Sequence, residues 1–306
     1  MAEPTVNQTF TGRAAGFYLS AALQDSVSLD YMTMLENVKY KMNLQTMAAA
    51  NVVRDATCDF TDHGTLNLNE AVLEVEPFQI NLDLCKKNLL SSWEALTMRP
   101  GAGGAPAPAF TDYVISYMAQ NVASQVEKCI WTGNTANNGE FTGFITGGVG
   151  LLLNAQDATV NQVAASATPF TNGNIIANLE TAYEAISDAV FGKDDLYIYM
   201  SPTSYQMYIS ASTALTSFPF ANMNDDFVKV FNGVKLAVCN GMGDDELVVA
   251  QKSNLFFGTD LISDVDGASI KVLDMASLDG SDNLRLVCRY NAGVKQGIGA
   301  DIIRLA

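Results

Sequence analysis

The chain has 306 residues, 48% of them hydrophobic, enough for one large or two modest domains around a packed core. Its 33 Asp and Glu against 17 Lys and Arg leave a formal charge of −16, which argues against any role that rests on neutralising phosphates. The longest apolar runs, such as Gly147 to Leu153, are well short of the roughly 20 residues of a membrane helix, and five scattered cysteines suit neither a disulfide framework nor C-x-x-C metal spacing.

Residues 1 to 30 are polar and rich in small side chains, with isolated anchors at Phe10, Phe17, Tyr18 and Leu19. Such a segment buries too little to fold alone, so it reads as an arm that docks on a surface. Met1-Ala-Glu-Pro-Thr has no basic or apolar stretch of the kind that opens a secretory signal, so cytoplasmic synthesis is expected. Leu29 to Met47 places Met32, Leu35, Val38 and Met42 three or four residues apart, which predicts a helix. From Val52 the period changes to two. Val52 to Phe60 and Val72 to Leu84 read as the arms of a long hairpin turned near Thr61-Asp-His-Gly64, about 13 residues or some 40 Å per arm. A two-stranded ribbon of that length needs a neighbour to lie against.

Thr97 to Ala109 is a breaker-rich loop. Phe110 to Gly133 then predicts the strongest helix, with Thr111 as N-cap, Val114, Met118, Val122 and Val126 on one stripe, and Gly133 as the stop. A second helix is expected from Asn174 through Val190 to Gly192, a buried strand from Asp195 to Met200, and a third helix at Ser201-Pro202, where proline suits the first helical position. Asn232-Gly233 should turn a hairpin between Val228–Phe231 and Val234–Cys239. Strands follow at Glu246 to Ala250, Asn254 to Phe257, Ser269 to Leu273, Asn283 to Tyr290 and Asp301 to Leu305. The order defines an α+β chain.

Few of these pieces carry chemistry. His63, the only histidine, sits in a turn signal and reads as a solvated loop residue, a poor place for a hydrolytic base. Asp264-Val-Asp-Gly267 lacks the rest of a calcium loop, and Gly101 to Gly104 and Gly147 to Gly150 lack the Lys-Ser/Thr of a phosphate loop. Gly241-Met-Gly-Asp-Asp-Glu246 gathers three acids and reads as a solvated hairpin turn. The aromatic set Tyr197, Tyr199, Tyr205 and Tyr208 follows core spacing with no interleaved cation for base stacking. Cys58, Cys85, Cys129, Cys239 and Cys288 are expected to be buried, reduced thiols. No catalytic, cofactor or metal site is expected.

The order of pieces resembles the major capsid proteins of tailed bacteriophages, whose fold is named after the Hong Kong 97 phage. Arg54 to Leu84 is similar to that family's extended loop, and Phe110 to Gly133, closing Cys-Ile-Trp-Thr-Gly before Phe141-Thr-Gly143, to its spine helix and following turn. Asn174 to Ser210 resembles the first helix, central strand and second helix of the axial domain. Asn254-Leu-Phe-Phe-Gly-Thr-Asp260 looks like the strand leading back to the peripheral domain, and Arg289 to Arg304 like the closing strands. The resemblance implies an arm and short helix at 1–51, an extended loop at 52–84, a peripheral domain with the spine helix at 85–172, an axial domain at 173–250 and return strands at 251–306.

It further implies a shell of pentamers and hexamers around double-stranded DNA, a virion location, and contacts between subunits at Phe10, Phe17, Tyr18, Arg54, Asp55, Asp62, His63, Glu74 and Glu76. Portal and decoration proteins would be separate, as would any scaffold, since the chain has no long charged helical leader. The acidic charge suits a container that must not adhere to its DNA. In the namesake a loop lysine is joined to an asparagine of the neighbour; here no lysine lies between Met42 and Cys85, so a non-covalent shell is expected. An encapsulin-type nanocompartment is the alternative within the fold, and a carboxylate enzyme using Asp244 and Glu246 the alternative outside it.

Overall fold

The structure is a computed structural model that describes residues 27–50, 52–56, 58, 63–85, 108–214, 229–260, 270–277, 279–281 and 283–306. After a 3-10 turn at Ser28–Tyr31 come β1 (Thr33–Leu35), β2 (Lys41–Ala50), β3 (Thr65–Glu74) and β4 (Glu76–Cys85). Helix α1 (Pro108–Thr132) is followed by β5 (Asn161–Val163), α2 (Ile175–Glu184), β6 (Leu196–Met200) and α3 (Pro202–Ala214). The rest is β7 (Val230–Phe231), β8 (Val234–Val238), β9 (Leu247–Gln251), β10 (Leu255–Thr259), β11 (Ile270–Asp274), β12 (Asn283–Gln296) and β13 (Ile303–Leu305).

Two sheets share the core. The first is built on β12, whose 14 residues alternate between buried and more exposed along most of the strand, as a half-covered strand must. β4 runs antiparallel along one of its edges from Asn283 to Ala292, while β11 and β10 share the other, and β1 adds in parallel beside β10. The second sheet has the order β5-β13-β9-β6-β8-β7. Its central strands β6 and β9 are covered on both faces. Leu196, Ile198, Met200, Leu247 and Val249 join a cluster with Ile175, Leu179 and Ala182 of α2, whereas Tyr199, Val248 and Ala250 join one with Trp131 and Phe144. Alternate residues of one strand therefore serve two cores.

Helix α1, about 37 Å long at 1.5 Å per residue, buries its C-terminal half. Its last carbonyls are satisfied by the chain folding back. Phe144 N donates to Ile130 O and Ile145 N to Trp131 O, each at 2.9 Å, and the Thr146 hydroxyl donates to Gly133 O. Gly143 makes this return possible, because a Cβ there would lie 2.6 Å from the carbonyl oxygens of Cys129 and Trp131.

Several expectations need correction. Leu29 to Met47 is not a helix: Asn37 takes a positive φ of 62°, β1 pairs with β10 and β2 with β3. The apolar spacing there serves two clusters, Met32 in the main core and Leu35 with Val38 under the ribbon, and distant strand pairing overrides local helix propensity. The hairpin is also displaced. Its arms are Lys41–Ala50 and Thr65–Glu74, ten residues or about 33 Å each, and residues 76–85 leave it to join β12. Period-two alternation runs unbroken through both segments and names no partner, so only the buried break at Val75 marks the change. Helix α2 ends at Glu184 and the chain turns through to Gly192, whose φ is 81°. The hairpin at Asn232-Gly233 has positive φ at both positions, as its turn type requires.

Candidate assembly surface

The β2–β3 ribbon is rooted on the first sheet and otherwise stands clear of it. Val75 N donates to Tyr40 O at 3.0 Å, Val38 N to Thr259 O at 3.2 Å, and the Asn291 side chain to Lys39 O at 3.3 Å. The root sits over Gly258 and Gly293, which face each other across β10 and β12. A Cβ on Gly258 would meet Leu73 at 2.7 Å, and one on Gly293 would run into the backbone of Glu74 and Val75. Two paired glycines thus form the saddle that lets the ribbon cross the sheet.

Directly paired residues of an antiparallel ladder project to the same face. One face of the ribbon carries Met42 with Leu73 and Leu44 with Ala71 near the root, where Leu73 is fully buried, and becomes polar toward the tip at Thr46 with Asn69. The opposite face does the reverse. It has Lys41 with Glu74, Asn43 with Val72 and Gln45 with Glu70 near the root, mostly polar, then Met47 with Leu68 and Ala49 with Leu66. Met47, Leu66 and Leu68 are 67%, 62% and 70% exposed. The apolar side therefore changes face halfway along, covering the ribbon's own sheet at the root and facing outward at its distal half. Exposed apolar residues gathered in one uncharged patch mark a surface meant to be covered.

The tip segment Val52–Ala56 holds Val53, 92% exposed, followed by Arg54 and Asp55, both exposed; the Arg54 Nε lies 3.5 Å from Asp55 O. His63 is exposed two residues before β3. Glu74 is ion-paired with Lys41 at the root. Lys41 thus places an amine on the ribbon after all, at the end away from the tip. Glu76 opens β4 and faces the interior side of the first sheet, where burial raises its carboxyl above the usual range. Phe10, Phe17, Tyr18 and Asp62 lie outside the described residues, as do Gly101 to Gly104 and Asp264 to Gly267. The structure thus places Arg54, Asp55 and His63 toward the tip and Glu74 and Glu76 at the root, about 33 Å apart along the ribbon.

Beside the root lies a cleft of about 870 Å³, lined by the first four residues of β4, the loop 135–140 after α1, and Arg289 and Asn291 of β12. Glu140 braces the loop wall, accepting from Asn137 at 3.0 Å and Asn134 N at 3.1 Å and pairing with Lys128 at 3.2 Å. The Asn137 hydrogen bond leads the effects that hold its carboxyl below the usual range. Phe78 packs on Phe141 and Tyr290 at the cleft floor.

A second polar junction ties the start of the described chain to the body. Glu127, fully buried on α1, accepts from Ser28 N at 3.0 Å, Ser28 Oγ at 2.5 Å and Gly241 N at 3.3 Å, and Trp131 Nε1 donates to Ser28 Oγ at 2.7 Å. Burial raises this carboxyl above its ordinary value, with the donated hydrogen bonds opposing. Sequence reasoning passed over Glu127. The available signal was a lone acid four residues before Trp131 on the apolar side of α1.

The acids of Gly241 to Glu246 have structural duties. Asp244 accepts from Ser201 at 2.8 Å, Asp245 from Phe170 N at 2.5 Å, and Glu246 pairs with Arg304 at 3.0 Å. All five cysteines are free; Cys129, Cys239 and Cys288 are buried as expected, Cys85 is partly covered, and Cys58 is exposed instead. Among the described residues no cluster of His, Cys, Asp and Glu is arranged to hold a metal, and no helix is long and apolar enough to cross a membrane.

No family model matches the chain, nor does any curated protein. Solved structures do. The capsid of a native GTA particle superposes with a TM-score of 0.60 at 11% identity, covering 100% of this chain and 95% of that one. The capsid of the cyanophage P-SCSP1u gives 0.58 at 13% identity over 97% and 91%, and a chain from Mycobacterium phage Che8 gives 0.58 at 10% identity over 98% of each. The fold is therefore that of the Hong Kong 97-type phage capsid proteins. The likeness spans both sheets, the long helix and the ribbon, essentially the whole chain.

Proposed function

We propose that this protein is the major capsid subunit of a tailed phage, building a closed shell of pentamers and hexamers around double-stranded DNA. One observation carries the reading: a ribbon about 33 Å long whose distal apolar face is left exposed among the described residues, on a body with the capsid fold. Such a ribbon is marginal alone and gains its stability from a neighbour. The first sheet with α1 serves as the peripheral domain and the second sheet with α2 and α3 as the axial domain. The acidic charge keeps the shell from gripping its DNA. The subunit is made in the host bacterial cytoplasm and resides in the virion, with scaffold, portal and decoration supplied by other proteins. Light scattering and negative-stain imaging of the purified full-length protein test this; uniform closed particles are expected. A stable monomer of 32.8 kDa under every assembly condition would overturn it.

A further inference from the structure

We propose that Asn138-Gly139, in the loop wall of the cleft, is a site of spontaneous deamidation, and that the cleft therefore gains negative charge as the protein ages. The chain has Asn-Gly pairs at 138–139, 172–173, 232–233 and 240–241. Glycine makes each a candidate, because it has no side chain to shield its N–H from the preceding amide. The structure separates them. Asn138 and Gly139 are both exposed, and neither the Asn138 side chain nor the Gly139 N–H is engaged in a hydrogen bond among the described residues. A Cβ on Gly139 would meet nothing within 4 Å, so the approach is open.

The other three pairs are held. Gly241 N donates to the buried Glu127 carboxylate at 3.3 Å, so its nitrogen is occupied. Asn232-Gly233 is fixed by positive φ at both positions, between the paired residues Phe231 and Val234. Asn172-Gly173 lies inside a turn closed by Asn174 N donating to Thr171 O at 3.2 Å and Thr171 N to Asn174 Oδ1 at 2.6 Å. To react, an asparagine must swing its side-chain carbonyl carbon over the next nitrogen, and each of these arrangements has to open first. Two hydrogen bonds that must break beforehand slow a step by roughly tenfold or more. At 138–139 the bonds that brace the loop, from Asn134 N and the Asn137 side chain to Glu140, leave the reacting pair itself free.

The chemistry balances with water alone. Gly139 N, having lost its proton to solvent hydroxide, bonds to Asn138 Cγ, the Cγ–Nδ2 bond breaks, and ammonia leaves with a proton taken from water. Water then opens the cyclic imide at Cγ, giving aspartate, or at the main-chain carbonyl, giving isoaspartate with one extra carbon in the backbone. Nothing is oxidised or reduced. Either product adds a carboxylate to the cleft residues beside Glu76 and Glu140, against the base Arg289.

The test follows the purified full-length protein in mildly alkaline buffer, with samples digested and their peptides read by mass spectrometry. The peptide holding Asn138 should convert first, about tenfold or more ahead of those holding Asn172, Asn232 and Asn240. Enzymatic methylation of isoaspartate should label the same peptide. In urea, where the turns and the Glu127 contact are gone, all four should convert at similar rates, which separates the effect of the fold from that of the dipeptide. Asn138→Gln, whose longer side chain would have to close a larger and slower ring, should abolish the early product while the circular dichroism spectrum is unchanged. Conversion led by another pair in the folded protein, or an Asn138 peptide still intact when the unfolded chain has converted, would overturn the proposal. Neither result bears on the shell reading.

Discussion

Glu127 shows how one buried charge can fasten separate parts of a chain. Its carboxylate collects donors from Ser28 and Gly241, and Trp131 completes the network through the Ser28 hydroxyl. Ser28→Ala should cost about 1–3 kcal/mol, because the Trp131 N–H and one Glu127 oxygen both lose their partner inside the core; urea denaturation of the unassembled subunit measures it. The pH dependence has a definite sign. A carboxyl raised on folding binds protons more readily in the native than in the unfolded state, so it contributes stability as pH falls. Between neutrality and its ordinary value of 4.5, wild type should therefore gain stability on acidification relative to Glu127→Gln, in which that site no longer titrates. A gap that narrowed instead would mean that the donated hydrogen bonds outweigh burial.

Among the elements, the ribbon is decided at its saddle. Gly293→Ala pushes a methyl group into the backbone of Glu74 and Val75, so the ribbon root must shift. Gly293 lies in β12, so the strain falls on the ribbon root and the start of β4, away from the second sheet. The expected outcome is a folded subunit with a normal circular dichroism spectrum and strongly reduced assembly in light scattering; unchanged particle yield would show that ribbon direction is unimportant. The saddle also marks where the sequence stops being readable. Helices α1 and α3, strand β6 and the Asn232-Gly233 hairpin were legible because caps, breakers and local periodicity act within a few residues. Strands β1 and β2 were hidden because their partners are β10 and β3, and pairing at a distance leaves no local mark. The ribbon's register could not be read for the same reason, since Leu66 and Leu68 alternate just as Phe78 and Ile80 do, although the first pair faces outward and the second packs against the core. Of the site, Arg54, Asp55 and Glu76 were legible as charges in a predicted loop. The cleft was not, since its wall comes from residues 135–140 and its floor from β4 and β12.

For the whole molecule, the ribbon boundaries bear on how subunits are held together. Lys41 is the only lysine on the ribbon, and it is engaged with Glu74 at the root. Assembled particles heated in detergent with reductant should therefore run as single chains of 32.8 kDa, and a ladder of resistant species would reveal a covalent bond from some other lysine. The continuity of β3 into β4 through the single residue Val75 has a mechanical consequence. A pull on the ribbon that runs along the axis of β4 loads its ten paired residues on β12 across their hydrogen bonds. Those bonds must then fail together in shear rather than one at a time by peeling. In the proposed shell, pressure from within would be carried by a whole ladder, and single-molecule extension through the ribbon should give a higher rupture force than extension applied across the β4–β12 pair.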